Sequence, residues 1–155
     1  MTAQTKAGEK GRSYFLALEN CQDGGVRPLA DVIEKLAYNE QGLVPVVAQD
    51  ARTGEVLMLA WMNQLAVEQT LATRRMTYFS RSRNELWIKG QTSGNFQQLI
   101  NMRIDCDGDA VLCSVVPAGS ACHTGRKSCF YLEVAPDEKQ VHLRRSADTW
   151  NFDPE

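Results

Sequence analysis

FQQLINMRIDCDGDAVLCSVV, residues 96–116, holds two apolar runs, Phe96 to Asp105 and Ala110 to Val116, separated by a few Asp and Gly residues. Both runs read as strands, and the connection is far too short for a helical crossover, so they pair antiparallel. The pattern recurs outward along the chain. Leu43–Gln49 and Val56–Trp61 flank the turn Asp50–Gly54, while Thr77–Phe79 and Leu86–Ile88 flank Ser80–Asn84. After a loop from Ser120 to Ser128, a further strand runs from Cys129 to Val134. Helical signals are few. Leu29, Val32, Ile33 and Leu36 recur at helical spacing, and Asn63 caps a helix carrying Leu65, Val67 and Leu71 that ends near Thr73. The fold class is α+β: a mainly antiparallel sheet with few short helices.

With 155 residues, 43% of them hydrophobic, the chain buries one ordinary core. Lys+Arg 17 against Asp+Glu 19 gives a net charge of −2, which excludes a general binder of phosphate backbones. No apolar stretch approaches the roughly 20 residues of a membrane helix. Lys6, Lys10 and Arg12 precede the apolar patch Tyr14–Leu18, but that patch is shorter than the roughly 7–15 residues of a secretion signal and reads as a short hydrophobic anchor or nascent helix on a polar arm. The expected compartment is therefore the cytoplasm, where thiols stay reduced. Five cysteines cannot in any case all pair with one another. Residues 1–27 read as a flexible N-terminal arm, 28–136 as the folded domain and 137–155 as a charged C-terminal tail.

The chemistry concentrates in Asp105-Cys106-Asp107-Gly108-Asp109 and in Ala121-Cys122-His123-Thr124-Gly125-Arg126-Lys127-Ser128-Cys129. If the strand runs on past Ile104, then Asn101, Arg103, Asp105, Asp107 and Asp109 share its polar face. Ile100, Met102, Ile104 and Cys106 share the apolar one. Three carboxylates on one edge repel unless a cation sits among them, and oxygen ligands suit Mg²⁺; an ordinary polar hairpin turn reads much the same. Cys106, Cys122 and Cys129 stand 16 and 7 residues apart, unlike the C-x₂₋₄-C knuckles of structural zinc. The His, Thr, Arg and Lys neighbours of Cys122 and Cys129 favour thiolates, and three thiolates would leave zinc an open fourth position; buried apolar cysteines are the plainer alternative. That plainer reading is the one for Cys113 and for the isolated Cys21. His123 is either an ordinary loop residue or a proton carrier beside a ligand, and His142 is incidental. Arg81, Ser82, Arg83 and Lys89, with Trp87, Thr92 and Ser93, form either a solvated hairpin tip or a grip on a phosphorylated, stackable ligand.

Four strings together resemble one family, the phosphoribosyl-AMP cyclohydrolases of histidine biosynthesis. They are GLVPVVAQDARTGEVLMLAWMN, TYFSRSRNELWIKGQTSGNFQ, DCDGDAVL and ACHTGRKSCFY, and they span about residues 42 to 131 in the expected order. The resemblance implies hydrolysis of the N1–C6 bond of the adenine ring of phosphoribosyl-AMP by zinc-activated water. It implies Zn²⁺ on Cys106, Cys122 and Cys129, Mg²⁺ on Asp105, Asp107 and Asp109, and an intertwined homodimer whose zinc ligands come from both subunits. His123 is the expected proton-transfer residue, with Arg81, Arg83 and Lys89 on the phosphates. Gln91 stands where the family pattern leads one to expect Glu, and Asn95 where it leads one to expect His. The chain ends at Glu155 without the pyrophosphohydrolase domain that some members carry, so one reaction step is expected.

Two rivals stand beside that reading. A zinc-dependent purine nucleotide deaminase attacks a similar ring carbon, but its H-x-E…P-C-x-x-C signature is missing here. A non-catalytic, zinc-stapled nucleotide-binding module would need a closed four-ligand site, for which His123 is the obvious fourth donor.

Overall fold

The computed structural model describes residues 3–145. The chain opens with α1 (Ala3–Leu18) and α2 (Leu29–Lys35). The hairpin β1 (Val44–Asp50) and β2 (Val56–Met62) leads into α3 (Gln64–Thr73) and a second hairpin, β3 (Thr77–Ser80) and β4 (Glu85–Ile88). Next come the long hairpin β5 (Gln97–Ile104) and β6 (Val111–Pro117) and a short one, β7 (Leu132–Ala135) and β8 (Gln140–Leu143). The fold is α+β, and every strand pair but one is antiparallel. The exception lies at the centre of the four-stranded sheet β2-β1-β6-β5, where β1 and β6 run parallel with Val46 opposite Val111.

Local chemistry sets the boundaries. The Asn63 side chain accepts a hydrogen bond from the Ala66 N–H at 2.8 Å, capping α3. Arg74, left-handed at φ 63, ends it. Strands β1 and β6 alternate strictly in burial, and Val44, Val46, Ala48, Val111, Cys113 and Val115 form the centre of the core with Leu57 and Met62 of β2 and Ala66 and Val67 of α3. Cys113 is fully buried among them, and burial pushes its thiol up to about 12, so it packs as a small hydrophobe. One buried polar pair ties the β3–β4 hairpin to the main sheet: the Tyr78 hydroxyl donates to Gln97 Oε1 at 2.6 Å.

Three features differ from the sequence reading. Along β5, Leu99 is 3% exposed and Ile100 48% exposed, because a bulge between Leu99 and Asn101 leaves Ile100 without an opposite residue and turns it away from the core. The strand expected from Cys129 begins only at Leu132, since Ser128 Oγ takes the Phe130 N–H and the Cys129 N–H bonds Leu57 O. The segment expected as an arm carries α1, whose Phe15 belongs to the core cluster. At Gly11, α1 lies directly on the Lys35 and Leu36 carbonyls, a contact that only glycine permits.

The β7–β8 hairpin is unusual in another way. Leu132 faces Leu143 and Val134 faces Val141, so four aliphatic side chains share one side, and all four are exposed. Among the described residues, no helix is long and apolar enough to cross a membrane.

Candidate metal and nucleotide site

The loop after β6 folds back on itself. The Cys122 N–H bonds Arg126 O, the Gly125 N–H bonds Cys122 O with Gly125 at φ 86, and the Ala121 N–H bonds Lys127 O. Seven residues thereby close a turn that brings the Cys122 and Cys129 thiols into hydrogen-bond contact. Desolvation works upward on both. At Cys122 it is outweighed by the Thr124 hydroxyl, whose Oγ1 lies 3.0 Å from Sγ, then by the Thr124 N–H, Cys129 and Arg126, and the thiol is held below its usual range. At Cys129, which keeps an exposed edge, desolvation and the neighbouring Cys122 push the thiol up to about 11. The pair therefore ionises first at Cys122, whose charge keeps the second proton on Cys129. Lys89 donates to Ala121 O at 2.8 Å; burial lowers its pKa against the pull of the two sulfurs.

The loop is bolted to the sheet from below. Ser128 Oγ donates to Val56 O at 2.8 Å. Lys127 Nζ lies 3.1 Å from both Asp50 Oδ2 and Glu55 Oε2. Asp50 is 2% exposed; burial raises its pKa, but the Arg52 N–H and Lys127 more than offset this, and the carboxyl sits below its ordinary value of 3.8. A depressed folded pKa stabilises the protein fully above that ordinary value and ceases to do so as pH falls through the folded one. The thermal stability of wild type should therefore fall below about pH 4, and Asp50→Asn should flatten that acid limb while removing about 2 kcal/mol near neutrality. Tm measured from pH 2 to 7 on both proteins checks it.

At the opposite end of the β5–β6 hairpin, the strand does not run on. Asp105 Oδ1 accepts the Asp107 N–H at 2.9 Å, the Gly108 N–H bonds Asp105 O, and Gly108 adopts φ 70, so residues 105–109 form a tight turn. Asp105, Cys106, Asp107 and Asp109 are all exposed there, and Cys106 does not join an apolar face. Ligand atoms of Asp105, Cys106 and Asp107 lie within 4.8 Å of one another, a candidate metal-binding cluster. Asp109 is hydrogen-bonded to Asp105. The Asp107 N–H and this bond hold Asp105 below the usual carboxyl range, and the same bond, then burial, holds Asp109 above it, so of the two Asp109 keeps its proton longer as pH rises. The charges of Asp105 and Asp107, then burial and Glu19, keep the Cys106 thiol above its usual value.

Cys106 and the Cys122–Cys129 pair thus sit at opposite ends of a seven-residue strand, β6, about 20 Å of extended chain. Within one chain the three sulfurs do not meet. His123 is exposed beside Cys122. Arg81 stacks 4.8 Å over the Trp61 ring, Arg83 Nε lies 3.6 Å from Glu85 Oε1, and Ser82 Oγ lies 3.4 Å from Ser80 Oγ. Trp87 packs on Tyr78 with centroids 5.1 Å apart, and Thr92 and Ser93 lie exposed in the loop between β4 and β5. Gln91 is exposed, while Asn95 Nδ2 reaches Ser120 Oγ at 3.3 Å at the entrance to the thiol loop. Sequence reasoning missed a cavity of about 440 Å³ lined by Arg74, Arg75 and Phe96, where the Arg75 guanidinium stacks 3.8 Å from the ring centre. The adjacent arginines were its one sequence signal.

Comparison with known proteins places these loops in context. The sequence model of the phosphoribosyl-AMP cyclohydrolase family matches residues 58–131, which hold the acidic turn, Cys106, Cys122 and Cys129, and the β3–β4 tip. The chain is 60% identical over 109 residues to a phosphoribosyl-AMP cyclohydrolase of Granulibacter bethesdensis, covering 70% of this chain and 85% of that protein. It is 50% identical over 127 residues to one of Alkalilimnicola ehrlichii, covering 82% and 89%. It is 54% identical over 109 residues, 70% of this chain, to half (51%) of a histidine biosynthesis bifunctional protein of Thermus thermophilus. With its fold, its two cysteine-bearing loops and its relatives in agreement, the chain belongs to the phosphoribosyl-AMP cyclohydrolase family of enzymes.

Proposed function

We propose that this protein opens the adenine ring of phosphoribosyl-AMP by hydrolysing the N1–C6 bond, as a step of histidine biosynthesis, and that it works as a homodimer. The observation carrying this reading is the sulfur geometry: two thiols converge in one loop, and the third lies a strand's length away, where a second copy can reach it. Zn²⁺ would be held by Cys122 and Cys129 of one subunit and Cys106 of the partner subunit, and Mg²⁺ by Asp105, Asp107 and Asp109. The donor sets fit those ions. Soft sulfurs, the one on Cys122 held below its usual pKa, suit zinc, and a cluster of exposed carboxylates suits a hard cation. The exposed aliphatic ladder of β7–β8 supports the dimer, because a lone two-stranded hairpin is marginal in water and needs a covering surface.

Zinc, when bound, supplies the Lewis acidity that makes water nucleophilic near neutral pH. The chain's own residues do the rest. His123 takes the proton that water releases on attack at C6 and returns it to N1 as the bond breaks, leaving a carboxamide carbon and a protonated ring nitrogen. Lys89, fixed by the Ala121 carbonyl and close to Trp87, orients the nucleotide. Arg81, Ser82 and Arg83 at the β3–β4 tip, with Thr92 and Ser93, hold its phosphates.

Metal analysis of the purified protein, combined with an ultraviolet assay of purine-ring opening before and after chelation, tests this. Chelation should remove zinc and turnover together, and added Zn²⁺ should restore both. Full turnover by zinc-free protein would overturn the mechanism. A product in which amine is exchanged for oxygen, rather than one heavier by a whole water, would indicate a deaminase instead.

A further inference from the structure

We propose that Phe15, which lies outside the segment matched by the family, is a positioning residue for the acidic turn: its ring, wedged against Gly108, fixes the backbone from which Asp107 and Asp109 present their carboxylates to a divalent cation. This rests on the Mg²⁺ reading above. Gly108 is buried while Asp107 and Asp109 on either side of it are exposed, so whatever fixes Gly108 fixes the carriers of both carboxylates. Two contacts fix it. The Ala37 N–H, just past α2, donates to Gly108 O at 2.8 Å. From the other side comes Phe15, only 6% exposed, whose ring occupies the space a Cβ at Gly108 would need. The ring is itself braced edge-on by Tyr14, with centroids 5.3 Å apart. Arg12, about one turn of α1 before Phe15, and Leu16, the next residue after it, wall a cavity of about 270 Å³ together with Asp107 and Asp109, so the helix lies along the turn rather than touching it at a single point.

The physical role follows from repulsion. Carboxylates crowded into five residues push apart, and Gly108 at φ 70 is the residue best able to let them, having no side chain to restrict it. A ring packed against it removes that freedom before the cation arrives, so binding no longer has to order the turn.

Mn²⁺, a spectroscopic probe for oxygen-rich sites, titrated into the whole zinc-loaded protein and followed by electron paramagnetic resonance, reads this without any turnover. Phe15→Ala should weaken Mn²⁺ binding about tenfold, the equivalent of leaving one residue's backbone to be ordered on binding. Phe15→Leu, which keeps part of the apolar volume, should fall between, and it carries the test should Phe15→Ala fail to fold. Gly108→Ala displaces the ring and strains a left-handed backbone, so it should show at least that loss, with no further loss when Phe15→Ala is added, because the contact is already gone. Zinc content should stay unchanged throughout. Folded Phe15 variants that bind Mn²⁺ like wild type, with only Tm lowered, would overturn the proposal and leave Phe15 a plain core residue. Asp107→Asn separates the two layers: if it too leaves Mn²⁺ binding intact, the Mg²⁺ reading itself fails; if it abolishes binding while Phe15→Ala does not, only the role of Phe15 does.

Discussion

Cys106→Ala and Cys122→Ala proteins, each without measurable ring-opening activity, should regain it when unfolded together and refolded as a mixture. Under the shared-site reading, a mixed dimer keeps one site in which an intact Cys106 meets an intact Cys122–Cys129 pair. Its other site carries both lesions. Random assortment at equal amounts makes half the dimers mixed, so recovery should approach about a quarter of wild-type activity per subunit. The expected swing, from background to a quarter of full rate, is far larger than any effect of altered stability. The control is a mixture of Cys122→Ala with Cys129→Ala, whose lesions fall on the same half-site; it also leaves one intact half-site pairing per mixed dimer only if those two thiols come from different subunits. The geometry puts them in one loop, so the control mixture should stay inactive. Recovery in the control, or none in the first mixture, would refute the division of ligands between subunits.

Gly90→Ala should be the most damaging single-methyl change in the domain. Gly90 is buried at φ 87, and a Cβ there would run into the backbone of Asn95 and Phe96 rather than into a movable side chain. The left-handed conformation and the enforced backbone shift together should cost about 3 kcal/mol or more. In a chain of this size that corresponds to a fall in Tm of roughly 10 °C. Activity should fall further than stability, because the displaced loop carries Asn95, whose amide holds Ser120 at the mouth of the thiol loop. Differential scanning calorimetry alongside the ring-opening assay separates the two; unchanged Tm with Ala at this position would show that the Asn95–Phe96 backbone yields freely.

Much of this architecture is written in local pattern. Alternating burial in β1 and β6, the Asn63 cap and the polar turn between β3 and β4 all rest on neighbours in sequence, and there the reading from sequence and the structure agree to within a residue or two. The parallel pairing of β1 with β6 could not be read, because nothing local names a strand's distant partner. The bulge at Ile100 inverted the expected faces over only part of β5: one added residue exposes Ile100, yet Met102 and Ile104 still pack against the core. Helix α1 was legible only as a short anchor or nascent helix at Tyr14–Leu18, and its full length was hidden for a different reason. Its sequence carries Gly8 and Gly11, both poor helix formers, and it is the fit of Gly11 against α2 and of Phe15 against Gly108 that gives the helix a place to lie. In the site, the meeting of Cys122 with Cys129 follows from a short loop with a glycine at its bend. The separation of Cys106 from them follows from hairpin length, which spacing along the chain does not convey.

The central parallel pair also dictates an order of assembly. Val46 finds Val111 only after about 65 intervening residues are in position, so the loop that must close is long, and its entropy is lost before the contact repays it. The three hairpins β1–β2, β3–β4 and β5–β6 close over a few residues each and can form first. On the ribosome, β1 and β2 therefore emerge with one edge unsatisfied and must wait until β6 has been synthesised. In that interval the strand that becomes the middle of the sheet is its exposed border, and it is then that a nascent chain is most open to pairing with a neighbour instead of itself.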